Sequence, residues 1–426
     1  MRLTHEERVL DALRTRGPLS RARLAELVGV SRSTLSEMTG EMIRRGSVVV
    51  VGTDADQRTG SGRPAERLAL DPASGQYLGV DIGHRRVNVV VADASRTVIA
   101  SAVESWPSGT AWDERVRRIF QLVAGTTSEH HLHLGALQAV AVGVPGPYRS
   151  VPEAGTAPEA GWGRSQVRTE SIRAAFADRF GVPVLVDNNV RYAALAEALH
   201  AEPRTRDLLY VRLADGVGGG LVCDGRLLTG AAGLAGEIGH VRAVPGGAAC
   251  RCGRRGCLET VASVPAVLDE CRRRGAATWD LEDLARLAAG GDPLVAEVVA
   301  EVGTAVGGAV AAAAMVLNPR DVVIGGELAR AAPRLVERAA AVAADELSGL
   351  DDAAPRVSAA RLPAGAGALG ALAALVVRTP QIPDVVLPDA FAGARVPTPH
   401  VRRSTPMDHP PAARAVPPPA ARTARS

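Results

Sequence analysis

The stretch Gly236-Glu237-Ile238-Gly239-His240, then nine residues, then Cys250-Arg251-Cys252-Gly253-Arg254-Arg255-Gly256-Cys257-Leu258-Glu259 decides how this chain reads. His240, Cys250, Cys252 and Cys257 offer one imidazole and three sulfurs within one short segment. A structural zinc takes such a tetrahedral set at about 2.0–2.3 Å. Gly253 and Gly256 lie between the last two sulfurs, where a chain folding back around one metal needs glycine's freedom at positive φ. Three of the five cysteines fall within eight residues, a clustering that points to ligation. Glu237 and Glu259 bracket the cluster, so a loop pinned by metal would present two carboxylates to a polar ligand such as a sugar.

Length and composition set the frame. A chain of 426 residues implies two to four domains. Its 46% hydrophobic and 22% charged content fits a soluble globular protein with ample core. No apolar run in the sequence reads as a membrane span, and the N-terminus lacks the layout of a secretory signal. Cysteines spaced as ligands rather than as a disulfide framework fit a reducing cytoplasm; Cys223 and Cys271 read as ordinary thiols. Residues 1–70 hold 12 arginines against 9 acids and residues 379–426 hold 6 against 3, so the net +3 leaves an acidic body between two basic ends. A basic head is compatible with a nucleic-acid contact. The absence of lysine excludes a Walker-type phosphate lysine.

Upstream of the knot, residues 1–72 read as a winged helix-turn-helix. Thr4 caps a first helix to Arg16, with Glu7 as its capping-box partner and Gly17-Pro18 as its stop. Ser20 caps a second helix, Arg21 to Val28. After the Gly29-Val30 turn, Ser31 caps a third that runs to about Arg45, with Leu35, Met38, Met42 and Ile43 on its core face. The second helix of a helix-turn-helix enters the major groove. Ser31, Arg32, Ser33, Thr34 and Ser36 at its exposed start suit base edges and phosphates. Val48 to Gly52 and Arg67 to Leu70 read as two strands of a wing. Arg63 and Pro64, at its tip, are placed to reach a narrow minor groove.

Past a linker at Asp71–Gly75, residues 76–378 alternate strands and helices, the grammar of an α/β body. Strands are expected at Tyr77–Gly83, Val87–Asp93, Val98–Ala100, Leu137–Val144, Val182–Asp187, Leu208–Leu213, Leu221–Cys223 and Val322–Gly325. Gly216 to Gly220 reads as a turn. Helices are expected over about Trp112–Ala124, Gln166–Phe180, Asn188–His200, Val264–Arg274, Leu281–Ala288, Pro293–Leu317, Pro333–Leu347 and Gly367–Val377. Residues 379–426 form a Pro/Ala/Arg-rich tail; from Pro380 onward it holds 11 of the 28 prolines, and it reads as disordered.

Taken in order, Gly79-Val80-Asp81-Ile82-Gly83, Val142-Gly143-Val144-Pro145-Gly146-Pro147, Asp187-Asn188-Asn189, Gly236-Glu237-Ile238-Gly239-His240, the cysteine knot and Ile324-Gly325-Gly326 resemble the ROK family (repressors, open reading frames and sugar kinases), in its repressor branch. The resemblance runs from about residue 5 to 378. It implies an α/β, two-lobed, actin-like (ribonuclease H-like) fold closing on a cleft, preceded by the winged helix-turn-helix. It implies zinc on the knot, and sugar hydroxyls bound by Asn188, Glu237, His240 and Glu259, with Asn189 within reach of the hydroxyl that a kinase would phosphorylate. His240 could then hold metal through one ring nitrogen and sugar through the other.

The chain departs from the family's kinases at three places. Their Asp-x-Gly-Gly-Thr phosphate loop is here Asp81-Ile82-Gly83-His84-Arg85-Arg86. Their Gly-Thr-Gly turn is Ala214-Asp215-Gly216. The base of their Glu-Asn-Asp motif is Asn189, and an amide cannot take a hydroxyl proton. The sequence therefore predicts a sugar-responsive, DNA-binding repressor with a catalytically dead cleft. It would act on operator DNA as a homodimer or homotetramer and answer to a sugar or sugar-phosphate effector, with Arg85, Arg86 or Arg212 as candidate phosphate ligands. The alternative is an active ATP-dependent sugar kinase that carries a DNA-binding head.

Overall fold

A computed structural model describes residues 5–44, 46–53, 66–71, 75–107, 109–132, 137–146, 163–201, 204–363, 365–377 and 400–402. The first unit holds α1 (His5–Arg16), β1 (Leu19–Ser20), α2 (Arg21–Val28), α3 (Arg32–Arg44), β2 (Val48–Thr53) and β3 (Glu66–Leu70). Ser20 caps α2 by accepting from the Arg23 amide, and Gly29 closes it in the left-handed conformation at φ 76°. Ser31 caps α3 by accepting from the Thr34 amide at 3.1 Å. Val9, Leu13, Leu24, Val28, Leu35, Met42, Val48 and Leu68 fill one small core. The expected two-stranded wing has a third member: β1 pairs antiparallel with β3, giving the order β1-β3-β2. Two residues are too short a run to signal a strand by alternation. Thr4, Arg63 and Pro64 lie outside the described residues.

The body continues with β4 (Gln76–Ile82), β5 (Arg86–Asp93), β6 (Val98–Ser105), α4 (Trp112–Glu129), β7 (Leu137–Val144), α5 (Gly163–Phe180), β8 (Val184–Asn188) and α6 (Asn189–His200). Next come β9 (Leu208–Leu213), β10 (Val217–Cys223), β11 (Arg226–Leu228), α7 (Glu259–Ala262), α8 (Val264–Arg273), α9 (Leu281–Ala289) and α10 (Pro293–Leu317). β12 (Asp321–Gly325), α11 (Glu327–Ala331), α12 (Pro333–Glu346), β13 (Arg356–Ala359), α13 (Ala366–Val377) and β14 (His400–Arg402) complete it.

Two sheets repeat one topology. β6-β5-β4-β7-β8 and β11-β10-β9-β12-β13 each join an antiparallel three-stranded meander to two parallel strands. Each sheet carries its own core: Val80, Val89, Ile119, Val142 and Phe176 in the first lobe; Val211, Leu213, Val267, Val306 and Leu335 in the second. α6 is buried along nearly its whole length, from Asn189 to Ala198. A helix buried on every side belongs between layers. It packs against α13 and against β9 and β10, where the lobes meet.

Two sequence expectations change here. Gly216–Gly220 was expected as a turn, but β10 runs through these glycines from Val217. The reason is close packing: a Cβ on Gly220 would stand 2.6 Å from Ala194 Cβ on α6. The tail was expected to lack regular structure, yet His400–Arg402 adds a parallel strand beside Ala102–Glu104. β6 is otherwise an edge, and its open backbone groups accept a strand. α10, with 25 residues, is long and apolar enough by composition to cross a membrane. That composition has a local cause, since Val295, Val298, Val299, Val302, Val306 and Val310 lie in the second lobe's core.

At the start of α6, Arg191 is 1% exposed and pairs with Asp187, 0% exposed, at 2.8 Å. The same guanidinium donates to the Gly233 carbonyl. Removing one member of a buried pair leaves an unpaired charge, which typically costs about 3–5 kcal/mol. Arg191→Met is therefore expected to destabilise the body by that amount in urea unfolding, with Asp187→Asn added to it returning part of the loss. A cost below about 1 kcal/mol, the level of an exposed pair, would refute this role.

Candidate functional site

The knot forms as the spacing predicts. His240, Cys250, Cys252 and Cys257 bring their ligand atoms within 4.8 Å of one another. His240 Nδ1 stands 3.4 Å from Cys250 Sγ, and the Cys252 and Cys257 sulfurs are 3.6 Å apart. Ligands on a tetrahedral zinc at about 2.3 Å would be separated by about 3.8 Å, so these four atoms need little movement to hold it. Burial, then the neighbouring Cys252 and Cys250, pushes the Cys257 thiol up to about 12. Sulfurs this close resist ionising together unless a cation joins them. Gly256 is at φ 72° with the Val244 carbonyl where a Cβ would be, so no other residue fits.

Between the lobes lies a cleft of about 520 Å³. Its walls include Gly83–Arg86 of the first loop, Asn188 and Asn189, Arg212, the run Ala214–Gly219, Glu237, Arg251 and Glu327. At one end, charges cross from lobe to lobe. Arg86 pairs with Glu327 at 2.6 Å, and Arg85 with Asp215 at 3.4 Å. Arg212 stands 4.0 Å from Asp81. Burial works to raise the Glu327 carboxyl, but Arg212 and Arg86 outweigh it and hold the group below its usual range.

The predicted sugar ligands divide. Asn188 caps α6: its Oδ1 accepts from the Val190 amide at 2.7 Å, and its Nδ2 donates to the Gly146 carbonyl at 2.5 Å. It lines the cleft with both polar atoms engaged. Asn189 donates to Asp81 Oδ1 at 2.9 Å and to the Ile82 carbonyl at 3.1 Å. Glu237 lines the cleft and has no side-chain hydrogen bond among the described residues. Burial, chiefly, raises its pKa above the usual carboxylate value.

His240 and Glu259 are not among the residues lining the cleft. His240 turns Nδ1 to the knot, and burial lowers its pKa. Glu259 accepts from Arg251 Nε at 2.7 Å and Nη2 at 2.9 Å, and from the Val217 amide at 3.1 Å. Arg251 was absent from the expected site, because inside the knot it reads as filler between two cysteines. Arg191 was missed as well, and an arginine on an alanine-rich helix carries no signal of burial. In the head, Ser31, Arg32, Ser33, Thr34 and Ser36 are all exposed at the start of α3. The Ser31 hydroxyl lies 2.8 Å from that of Ser33 and 2.7 Å from that of Thr34.

Residues 77–378 match the model of the ROK family. The DNA-binding transcriptional dual regulator NagC of Escherichia coli K12 is 30% identical over 326 residues, spanning 74% of this chain and 78% of that protein. A glucokinase of Halalkalibacterium halodurans is 31% identical over 289 residues, spanning 61% of this chain and 83% of that protein. The crystal structure of a ROK family transcriptional regulator, a homologue of the E. coli MLC protein, superposes with a TM-score of 0.65. It covers 87% of this chain and 96% of its own at 24% identity, a likeness of fold that extends through the head. A match over this much of the chain, with the knot and the two-lobed body both in place, makes the protein a member of the ROK family.

Proposed function

We propose that this protein is a sugar-responsive transcriptional regulator, a repressor, whose two-lobed body binds a sugar or sugar derivative without phosphorylating it. The supporting observation is the charged end of the cleft. Where a kinase of this family would seat nucleotide phosphates, Arg86–Glu327 and Arg85–Asp215 span the lobes, and the base position holds an amide already committed to Asp81 and Ile82. General-base catalysis typically contributes about 10²–10⁴-fold, and Asn189 cannot supply it. Glu237, by contrast, is half-buried on the cleft wall and ready to accept from hydroxyls. The head supplies exposed hydroxyls and the Arg32 guanidinium for operator DNA, and two heads on an oligomer would read a repeated half-site.

A ligand in the cleft acts only through its differential affinity for two lobe arrangements. A coupling of about 1–3 kcal/mol would change operator affinity roughly 5–150-fold. Footprinting on the DNA flanking the protein's own gene, with a panel of sugars, is expected to give a protected site whose affinity moves by that factor. Protection should weaken in Arg32→Ala. No protected site at moderate salt would overturn the reading.

The alternative, an ATP-dependent sugar kinase, draws support from the similar identity to a glucokinase. An ATP-coupled assay over hexoses and their N-acetyl derivatives separates the two, with no turnover expected. Asn189→Asp alone is expected to leave it absent, since the cross-lobe pairs remain. Robust phosphorylation by the native chain would sink the regulator-only reading.

Zinc on His240, Cys250, Cys252 and Cys257 is part of the same proposal. It would fix the loop that carries Glu237 and Arg251, with a structural rather than a catalytic role. Near one zinc per chain is expected in purified protein, and Cys257→Ser should lower both zinc content and thermal stability. Metal-free protein of unchanged melting temperature would contradict it.

A further inference from the structure

The described chain changes lobes twice, from α6 to β9 and from β13 back to α13, which packs on β4, β5 and β7 of the first sheet. Both passages meet the last turn of α6. On the first, the Thr205 amide donates back to the Ala198 carbonyl at 3.3 Å. On the second, the Ala360 amide still belongs to the second lobe and donates to the Ile324 carbonyl of β12 at 2.9 Å. By Gly365 the chain lies against the first lobe, where a Cβ would stand 3.1 Å from Asn88 Oδ1 on β5. Between these two points the Arg361 and Leu362 amides donate to one carboxylate, Glu197, at 3.4 Å to Oε2 and 3.0 Å to Oε1. Pro363 has no amide hydrogen to offer. The Leu362 side chain packs against the core that α6, β9, β10 and β12 share.

Glu197 is 3% exposed and is not among the residues lining the cleft. Its two acceptor oxygens match two successive amides, whereas a glutamine would turn its own NH2 toward one of them. The ionisable groups around it are His200 on α6, Tyr210 on β9 and Arg361 on the returning passage. Burial, chiefly, raises the Glu197 carboxyl above its ordinary value, while the two amides, His200 and the Arg361 guanidinium pull it back. The folded chain thus keeps this proton to higher pH than the unfolded chain does. The group's contribution to stability is therefore lost as pH rises through its folded value. At neutral pH a carboxylate of this kind costs the fold more than its bonds return, so stability does not account for its place.

Lobe movement has to be absorbed by a few backbone torsions where the chain passes between the sheets. We propose that Glu197 is the clasp of that hinge: it binds the returning passage to the turn of α6 that already holds the outgoing one, and so fixes the resting angle of the lobes. A body held at one angle is pre-organised, and less freedom is then lost when its heads align on an operator. This rests on the reading of the protein as a regulator worked by lobe movement.

Amide hydrogen exchange and operator binding, both on the full chain without ligand, test it. In Glu197→Gln the Arg361 and Leu362 amides are expected to exchange about tenfold or more faster, while amides of β4 and β12 keep their native rates. Operator affinity should fall by about fivefold or more, the low end of a typical coupling between sites. Binding to non-specific DNA at low salt, which reads the charge of the head alone, should not move. Glu197→Asp keeps the charge but shortens the reach, so it is expected to behave alike and is the second variant should Glu197→Gln fail to fold. Native exchange at both amides would overturn the clasp. Faster exchange throughout both lobes would also overturn it, by reducing Glu197 to a general structural role. Faster exchange confined to the passage with operator affinity unchanged would overturn the link to DNA binding while leaving the regulator reading intact. If footprinting finds no operator for the native chain, that link and the regulator reading fall together, and exchange still decides the clasp.

Discussion

The buried Asp187–Arg191 pair is the constraint on which the site's geometry depends. Asp187 ends a strand of the first lobe, Arg191 begins the helix between the lobes, and the guanidinium also holds the Gly233 carbonyl just before Glu237. A planar group with five donors can serve a carboxylate and a carbonyl at once, as an ammonium on a flexible stem does less well. Between the paired residues, Asn188 caps the helix and tethers Gly146, while Asn189 reaches back to Asp81. One segment of five residues thus sets the position of three walls of the cleft. Its desolvation cost is compensated only because every member is paired, so the segment is unforgiving of substitution.

The charged end of the cleft follows a different logic. Arg86 and Glu327 each keep about a quarter of their side-chain surface exposed, so water still reaches the pair from one side. Its importance is positional. A guanidinium and a carboxylate joined across the gap tie the two lobes together at this end of the cleft.

Much of this was legible in the sequence, and the limits have physical causes. The knot could be read because metal ligation fixes residue types and spacing together. The three helices of the head followed from caps and apolar periodicity, with Ser20 and Ser31 bonded as their positions predict. Gly218–Gly220 misled because a glycine run signals a turn equally well whether the chain bends or another helix presses against a strand. The engagement of Glu259 was illegible for a related reason. A motif states which residue types are present, whereas Arg251 takes up that carboxylate only after the knot folds back to bring them together.

That pairing also explains why a metal belongs behind the wall rather than in it. The loop from Gly236 to Glu259 contains no helix longer than three residues and must still hold Glu237 and Arg251 in place. Side-chain packing cannot supply that precision to a loop rich in glycine and arginine, but four bonds to one ion can. With His240 bound to the knot through Nδ1, its role at the site becomes indirect: it fixes the backbone three residues from Glu237, whose carbonyl accepts the His240 amide at 3.0 Å. The knot thereby sets the position of Glu237 against the Arg251–Glu259 pair, both on the wall or edge of the cleft.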